Sequence, residues 1–274
     1  MVNPGTNFNA SRLRASMPLL ALLLIGCGNP FSEFYSGTTI TEIQKDGSWL
    51  LQAPAADPQV IQAGDYNITI RQWAEDGWVT LGQSSWIGAD VGSMSQAKEQ
   101  AKRIGASVVI WSYQYMGSSS SAMPITTPTT STTYGSGNAY GGYGAASWSG
   151  SATTYGTQTT YVPITIHRFE VAAAFFCRPV HPPALGLYVR RMTPEEQQRA
   201  GTIQGSIVDL VVRNSPAAAA GILPGDVMVK VGSQSVSDEV SYHSAIIANQ
   251  GKSVDVEWIH RGERIHRTIQ LNDR

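Results

Sequence analysis

The chain alternates between two hydrophobic periods. In "GWVTLGQSSWIG" apolar residues recur every second position, with Val79 and Leu81 on one face and Trp78 and Thr80 on the other, the pattern of a strand. The next segment, "SMSQAKEQAKRIGA", changes period. Ala97, Ala101 and Ile104 recur at i, i+4 and i+7, Ser93 and Gln96 have capping-box spacing, and Gly105 suits the C-terminal cap of an amphipathic helix. "SVVIWSYQYM" then returns to β-branched and aromatic residues, Val109, Trp111, Tyr113 and Tyr115 on one face against Val108, Ile110, Ser112 and Gln114 on the other. "VPITIHRFEVAAAFFC" supplies a strand to pair with it. Together these predict a small α/β domain over 59–178, its order beginning at Gln59–Ala63.

The last ninety or so residues repeat the alternation in shorter pieces. "GSIVDLVV" predicts a strand after Gly205. Ser215, Pro216 and Gly221 suit the N-cap, first position and C-terminal cap of one short helix. Pro224-Gly225 fits the centre of a type II turn. "VMVKV" predicts a strand, Asp238–Gln250 a helix stopped by Gly251, and Val254, Val256, Trp258 and then Ile265, Ile269, Leu271 a final hairpin turned by "HRGE". The fold class expected is α+β: a small α/β domain followed by a mostly antiparallel β domain with two helices.

Two stretches fall outside these patterns. Residues 117–161 are built from Ser, Thr, Gly and Tyr, and such composition buries little to offset chain entropy. This insertion reads either as a mobile loop or partly formed hairpin, or as an exposed adhesive element. In the second reading Tyr134, Tyr140, Tyr143, Trp148, Tyr155 and Tyr161 stack on sugars, cell wall or a partner chain. At the N-terminus, Arg12 and Arg14 precede a short apolar run, Pro18–Ile25, too short for the roughly 20 residues of a membrane-spanning helix. That layout is a secretory signal peptide. Residues 27–58 mix Pro, Gly, Ser and Thr and read mostly as a tether, with "GSWLLQA" a short strand or a contact with the first domain.

Composition narrows the function classes. The chain has 274 residues, 19 basic and 20 acidic; removing residues 1–26 takes away two arginines and leaves a net charge of −3. That balance, with no block of like charge, gives no footprint for nucleic acid. The two cysteines are Cys27 and Cys177. The second follows "AAAFF" and reads as a buried, inert thiol, so no internal disulfide is expected if Cys27 is modified.

Three resemblances add to this. Leu24-Ile25-Gly26-Cys27 resembles the bacterial lipobox, which implies cleavage before Cys27, lipidation of its thiol and attachment to a membrane by several acyl chains. With Gly28 rather than Asp next to the cysteine, the resemblance implies delivery to the outer membrane, facing the periplasm. The segments "SSWIG", "AKEQAKRIGASVVI" and "YVPITIHRFEVAAAFF" resemble an uncharacterised domain of bacterial secreted proteins and lipoproteins, which implies boundaries and no activity. Finally, "ALGLYV", "TPEEQQRAG", "GSIVDLVVRNSPAAAAGILPGDVMVKVGSQSV" and "VEWIHRGERI" resemble a PDZ domain of the HtrA-like type over 183–274.

The PDZ resemblance implies capture of a protein C-terminus or an extended peptide as an added strand. Carried over residue by residue, Ala184, Leu185, Gly186 and Leu187 form the carboxylate-binding loop, and Tyr188 and Val189 continue the receiving strand. On the second helix His243 and Ile247, four apart, share the face turned to the groove. A histidine there resembles the type that prefers Ser or Thr two residues before the ligand's end. No catalytic constellation accompanies this: there is no HExxH, "GQSSW" departs from GxSxG at its last position, and the five histidines have no metal-ligand spacing. The expectation is a non-catalytic, membrane-anchored binding lipoprotein, with no cofactor, acting as an envelope adaptor or scaffold. The alternative is a structural or surface-adhesive lipoprotein that works through residues 117–161 and contacts the cell wall.

Overall fold

A computed structural model describes residues 28–45 and 50–273. Cys27 and the apolar run before it lie outside the described residues. Among those described, no helix is long and apolar enough to cross a membrane.

The segment read as a tether begins with structure. Asn29 accepts from the Phe31 N–H and caps a single turn, α1 (Pro30–Glu33), with Pro30 at its first position. Strand β1 (Tyr35–Gly37) and helix α2 (Ile40–Lys45) follow. Phe31 is completely buried, edge-on to Trp86 and Trp111, and Ile40 and Ile43 are also buried. Enough apolar side chain is therefore sequestered to hold residues 30–45 against the first domain. Farther along, the Leu51 bridge to Pro179, with the Val180 N–H donating to the Leu50 carbonyl, ties this segment to the chain leaving that domain.

The remaining elements of this part are β2 (Gln59–Gln62), α3 (Tyr66–Glu75), β3 (Val79–Gly88), α4 (Met94–Ile104), β4 (Val108–Gly141) and β5 (Gly144–Cys177). They form one sheet in the order β1-β3-β5-β4-β2, with β2 parallel to β4. Helix α4 has the caps expected of it: Ser93 accepts from the Gln96 N–H, and Gly105 closes it in the left-handed region. Helix α3, capped by Asp65, was not legible as a helix because β-branched residues (Ile68, Thr69, Ile70) interrupt a weak apolar face. The inner sheet positions are buried on both faces, Phe175 and Cys177 on one and Ala174 and Phe176 on the other. Burial pushes the Cys177 thiol up to about 12, so it stays protonated at neutral pH.

The insertion is neither loop nor partial hairpin. The outer parts of β4 and β5 run on as one two-stranded ribbon closed by a two-residue turn at Gly142-Tyr143. Tyr115–Phe169, with Gly88–Asp90, forms a compact unit distinct from the rest of the chain.

The C-terminal part contains β6 (Leu187–Arg191), α5 (Pro194–Ala200), β7 (Ser206–Val211), α6 (Pro216–Ala219), β8 (Val227–Val231), β9 (Gln234–Ser235), α7 (Glu239–Asn249), β10 (Ser253–His260) and β11 (Glu263–Gln270). Its sheet runs β11-β10-β8-β7-β6, every neighbouring pair antiparallel, with β9 beside β8. Apart from the two-residue β9, the strands and the helices α6 and α7 fall where the sequence places them. The addition is α5, a third helix with a complete capping box between Thr193 and Glu196. Trp258, Met228, Leu185, Ile222 and Leu271 fill the centre of the core.

The linker "RPVHPP" suggests a short, extended connection with a limited range of orientations, and described contacts also join the two parts. Arg213 bridges Glu75 at 3.0 Å and Asp76 at 2.6 Å, and its N–H donates to the Glu75 carbonyl at 2.7 Å. Beneath these, Ala74 packs with Leu210 and Val212. α3 thus covers one end of β7.

Candidate functional site

β6 is the terminal strand of its sheet, so one side of its backbone has no strand beside it. The loop that leads into it is fastened by its carbonyls. Ala184 accepts from the Asn272 N–H at 2.9 Å, Leu185 from the Ala217 N–H at 2.9 Å, and Gly186 from the Val212 N–H at 2.8 Å. In a trans peptide the N–H points opposite to the preceding carbonyl. The N–H groups of Leu185, Gly186 and Leu187 are therefore aimed away from the domain's own bonds. Successive N–H groups displayed in this way make a concavity that suits an anion.

Gly186 has φ +84°, and a Cβ placed on it would lie 2.2 Å from Cβ of Ser215. Both facts demand glycine, and both concern the fold of the loop rather than the approach of a ligand. Ser215 also donates to the Gly186 carbonyl at 3.3 Å and caps α6 through the Ala218 N–H. The loop is thereby pinned to a helix terminus.

Side chains of the site divide by the alternation of β6. Leu187 and Val189 are buried beside Leu185 in the core, whereas Tyr188 is 37% exposed on the other face. Burial of its ring, with Cys177 nearby, pushes the Tyr188 phenol up to about 12. Ala184 is half-buried against the same core.

Helix α7 flanks the open side of β6. Asp238 caps it, accepting from the Ser241 N–H at 2.8 Å, and faces Arg191 at the far end of β6 across 3.8 Å. The residues α7 turns inward are Tyr242, Ala245 and Ile246, which join the cluster of Leu185, Leu187 and Val189. His243 and Ile247 lie on the exposed side, Ile247 with half its surface free. Tyr242 and Ile246, one position earlier, have the same four-residue spacing and pack in the cluster with Leu187 and Val189, and Ser241, the third helical residue, completes the Asp238 cap.

Tyr242 changes the character of the site. Its phenol lies close to the backbone N–H of Leu187 in the loop. Burial raises this phenol far above the ordinary tyrosine range, with the Leu187 N–H opposing that shift and Tyr188 adding to it. The hydroxyl is thus neutral and sits beside the Leu187 N–H. Among the described residues no group of three His, Cys, Asp or Glu side chains is placed to hold a metal ion.

Residues 207–259 match the family model of the PDZ domain. The C-terminal part of the chain is a PDZ domain. That match begins after the loop, so the placement of residues 184–187 rests on the geometry above. Among solved structures the domain is similar to an HtrA-type protease, AlgW, with a decapeptide: 26% identity over 37% of each chain, TM-score 0.30. It is also similar to the HtrA3 PDZ domain bound to a phage-derived ligand (FGRWV): 23% identity, 33% of this chain, 85% of that one, TM-score 0.30. The chain spans little more than a third of the protease it matches. No curated protein matches the chain.

Proposed function

We propose that the PDZ domain captures the C-terminus of a protein, or an extended strand, along the open side of β6, and that the chain performs this as a binding protein with no catalysis of its own. The observation that carries this reading is the loop 184–187, whose carbonyls are held inward by Asn272, Ala217 and Val212 while its N–H groups face the groove entrance. A peptide added to β6 satisfies the strand's open backbone groups, and its terminal side chain meets Leu185, Leu187 and Ile246. Tyr242 fills part of that space, which favours a small terminal residue.

The lipobox resemblance gives the setting. Lipidation of Cys27 holds the capture at a membrane surface, with the outer membrane facing the periplasm as the location, and the protein acts as an envelope adaptor or scaffold. Selection of C-terminal peptides on the intact chain tests the binding half. Recovered sequences that share a terminal residue support it, and an unselected pool contradicts it. Labelling of growing cells with a fatty-acid analogue tests the anchor, whose incorporation is lost in Cys27→Ala.

A further inference from the structure

The ribbon made by the outer parts of β4 and β5 has a readable register. Ser120 faces Thr165, Thr126 faces Thr159 and Thr132 faces Thr153, each pair joined through side-chain oxygens. Both partners step by six residues from pair to pair, so the register is constant, and the same register brings Gly141 opposite Gly144 around the turn. Residues flanking a two-residue turn are a hydrogen-bonded pair, and such pairs alternate with non-bonded ones. Odd-numbered residues of β4 therefore bond to β5, whereas even-numbered residues aim N–H and C=O outward. In β5 the odd-numbered residues face outward.

Pro124, Pro128 and Pro163 all fall on outward positions. Each removes a donor from an outer edge without interrupting the ladder inside, the placement expected of an edge strand guarded against pairing. All three lie in the half nearer the rest of β4 and β5. From Thr129 to Gly141 and from Gly144 to Gly156 there is no proline. There is no charge either, since no Asp, Glu, Lys or Arg occurs between Arg103 and Arg168. The distal edges thus lack both devices that keep sheet edges apart.

Composition and faces indicate what covers them. Tyr134, Tyr140, Tyr155 and Tyr161 share one face by the register, and the first three are about 80% exposed. Trp148 lies on the other face over Gly135 and Gly137, where a Cβ at Gly137 would come within 2.4 Å of its Nε1. A lone two-stranded ribbon is marginal in water. An identical ribbon brings no charge repulsion, matches β-prone Thr and Tyr with Thr and Tyr, and extends the tyrosine row across the join. When two ribbons point the same way, β4 of one lies antiparallel to β5 of the next.

We propose that the proline-free distal half of the ribbon pairs edge to edge with the same segment of a second copy of this chain, making an intermolecular antiparallel sheet. This stands apart from peptide capture by the PDZ domain.

The test is sedimentation of the intact chain in density-matched detergent, compared with the variant Thr132→Pro/Ser136→Pro/Thr153→Pro, whose substitutions fall only on outward positions. The expected result is an assembly of two or more chains for the parent and an association weakened by about tenfold or more in the variant. Amide exchange on the parent gives an answer that needs no variant. Even-numbered amides from Thr130 to Tyr140 are protected at high concentration and exchange quickly on dilution. A parent that sediments as one chain, an assembly that survives the prolines, or distal amides protected only by added cell-wall glycan or vesicles overturns the proposal.

Discussion

The Tyr242 phenol of α7 lies beside the backbone N–H of Leu187, so the helix and the loop 184–187 meet at the mouth of the PDZ groove. A peptide carboxylate approaching the Leu187 N–H must share that space with the phenol. In Tyr242→Phe the ring remains and the hydroxyl beside the Leu187 donor is removed. Binding of C-terminal peptides is expected to tighten by roughly twofold to tenfold, the worth of one hydrogen bond, read by calorimetry with little change in thermal midpoint.

Gly186 makes a contrasting prediction. Its left-handed φ and the 2.2 Å approach of Ser215 to any Cβ mean that Gly186→Ala strains the loop whether or not a ligand is present. The expected cost is roughly 2–5 kcal/mol of stability, measured by urea unfolding. Adding Ser215→Gly removes the clash but not the dihedral strain, so the double variant is expected to recover only part of the loss.

Much of the PDZ domain was legible because its signals are local. Ser215-Pro216, Pro224-Gly225 and the alternation of Val254, Val256 and Trp258 each specify one backbone state. The side of α7 that faces β6 was harder, because His243/Ile247 and Tyr242/Ile246 have the same spacing and only the packing of Leu187 and Val189 distinguishes them. The first domain was read less fully for two reasons. Residues 30–45 carry their apolar side chains too sparsely to show a period, although Thr39 and Glu42 have capping-box spacing. The ribbon buries no apolar face, and its order comes from main-chain pairing and threonine contacts, which composition does not reveal.

Residues 30–45 can be tested as part of the fold rather than as a tether. Phe31 is fully buried between Trp86 and Trp111. Phe31→Ala is expected to destabilise the first domain by about 3–5 kcal/mol, with a matching change in tryptophan emission. A free tether predicts no change.

Acid should loosen the start of α5. Hydrogen bonds from the Arg190 guanidinium at 2.6 and 2.8 Å, and then from the Thr193 N–H, hold the Glu196 carboxyl below the usual glutamate range. A carboxyl depressed in the folded state contributes its stability above its unfolded value, roughly pH 4.3, and loses it as pH falls through the lower folded value. Glu196→Gln is therefore expected to be less stable than the parent at neutral pH, with the difference shrinking to nothing in strong acid. Unfolding curves for both chains between neutral pH and pH 2 check this.

The central claim is that the loop 184–187 grips a free C-terminus. The most direct measurement is the affinity of the intact chain for one selected peptide prepared as free acid and as C-terminal amide, repeated in Tyr242→Phe. The account predicts that the acid binds at least about tenfold more tightly than the amide and that Tyr242→Phe widens the gap. Equal binding of acid and amide in both chains would contradict it and leave β6 as a receptor for internal strands alone.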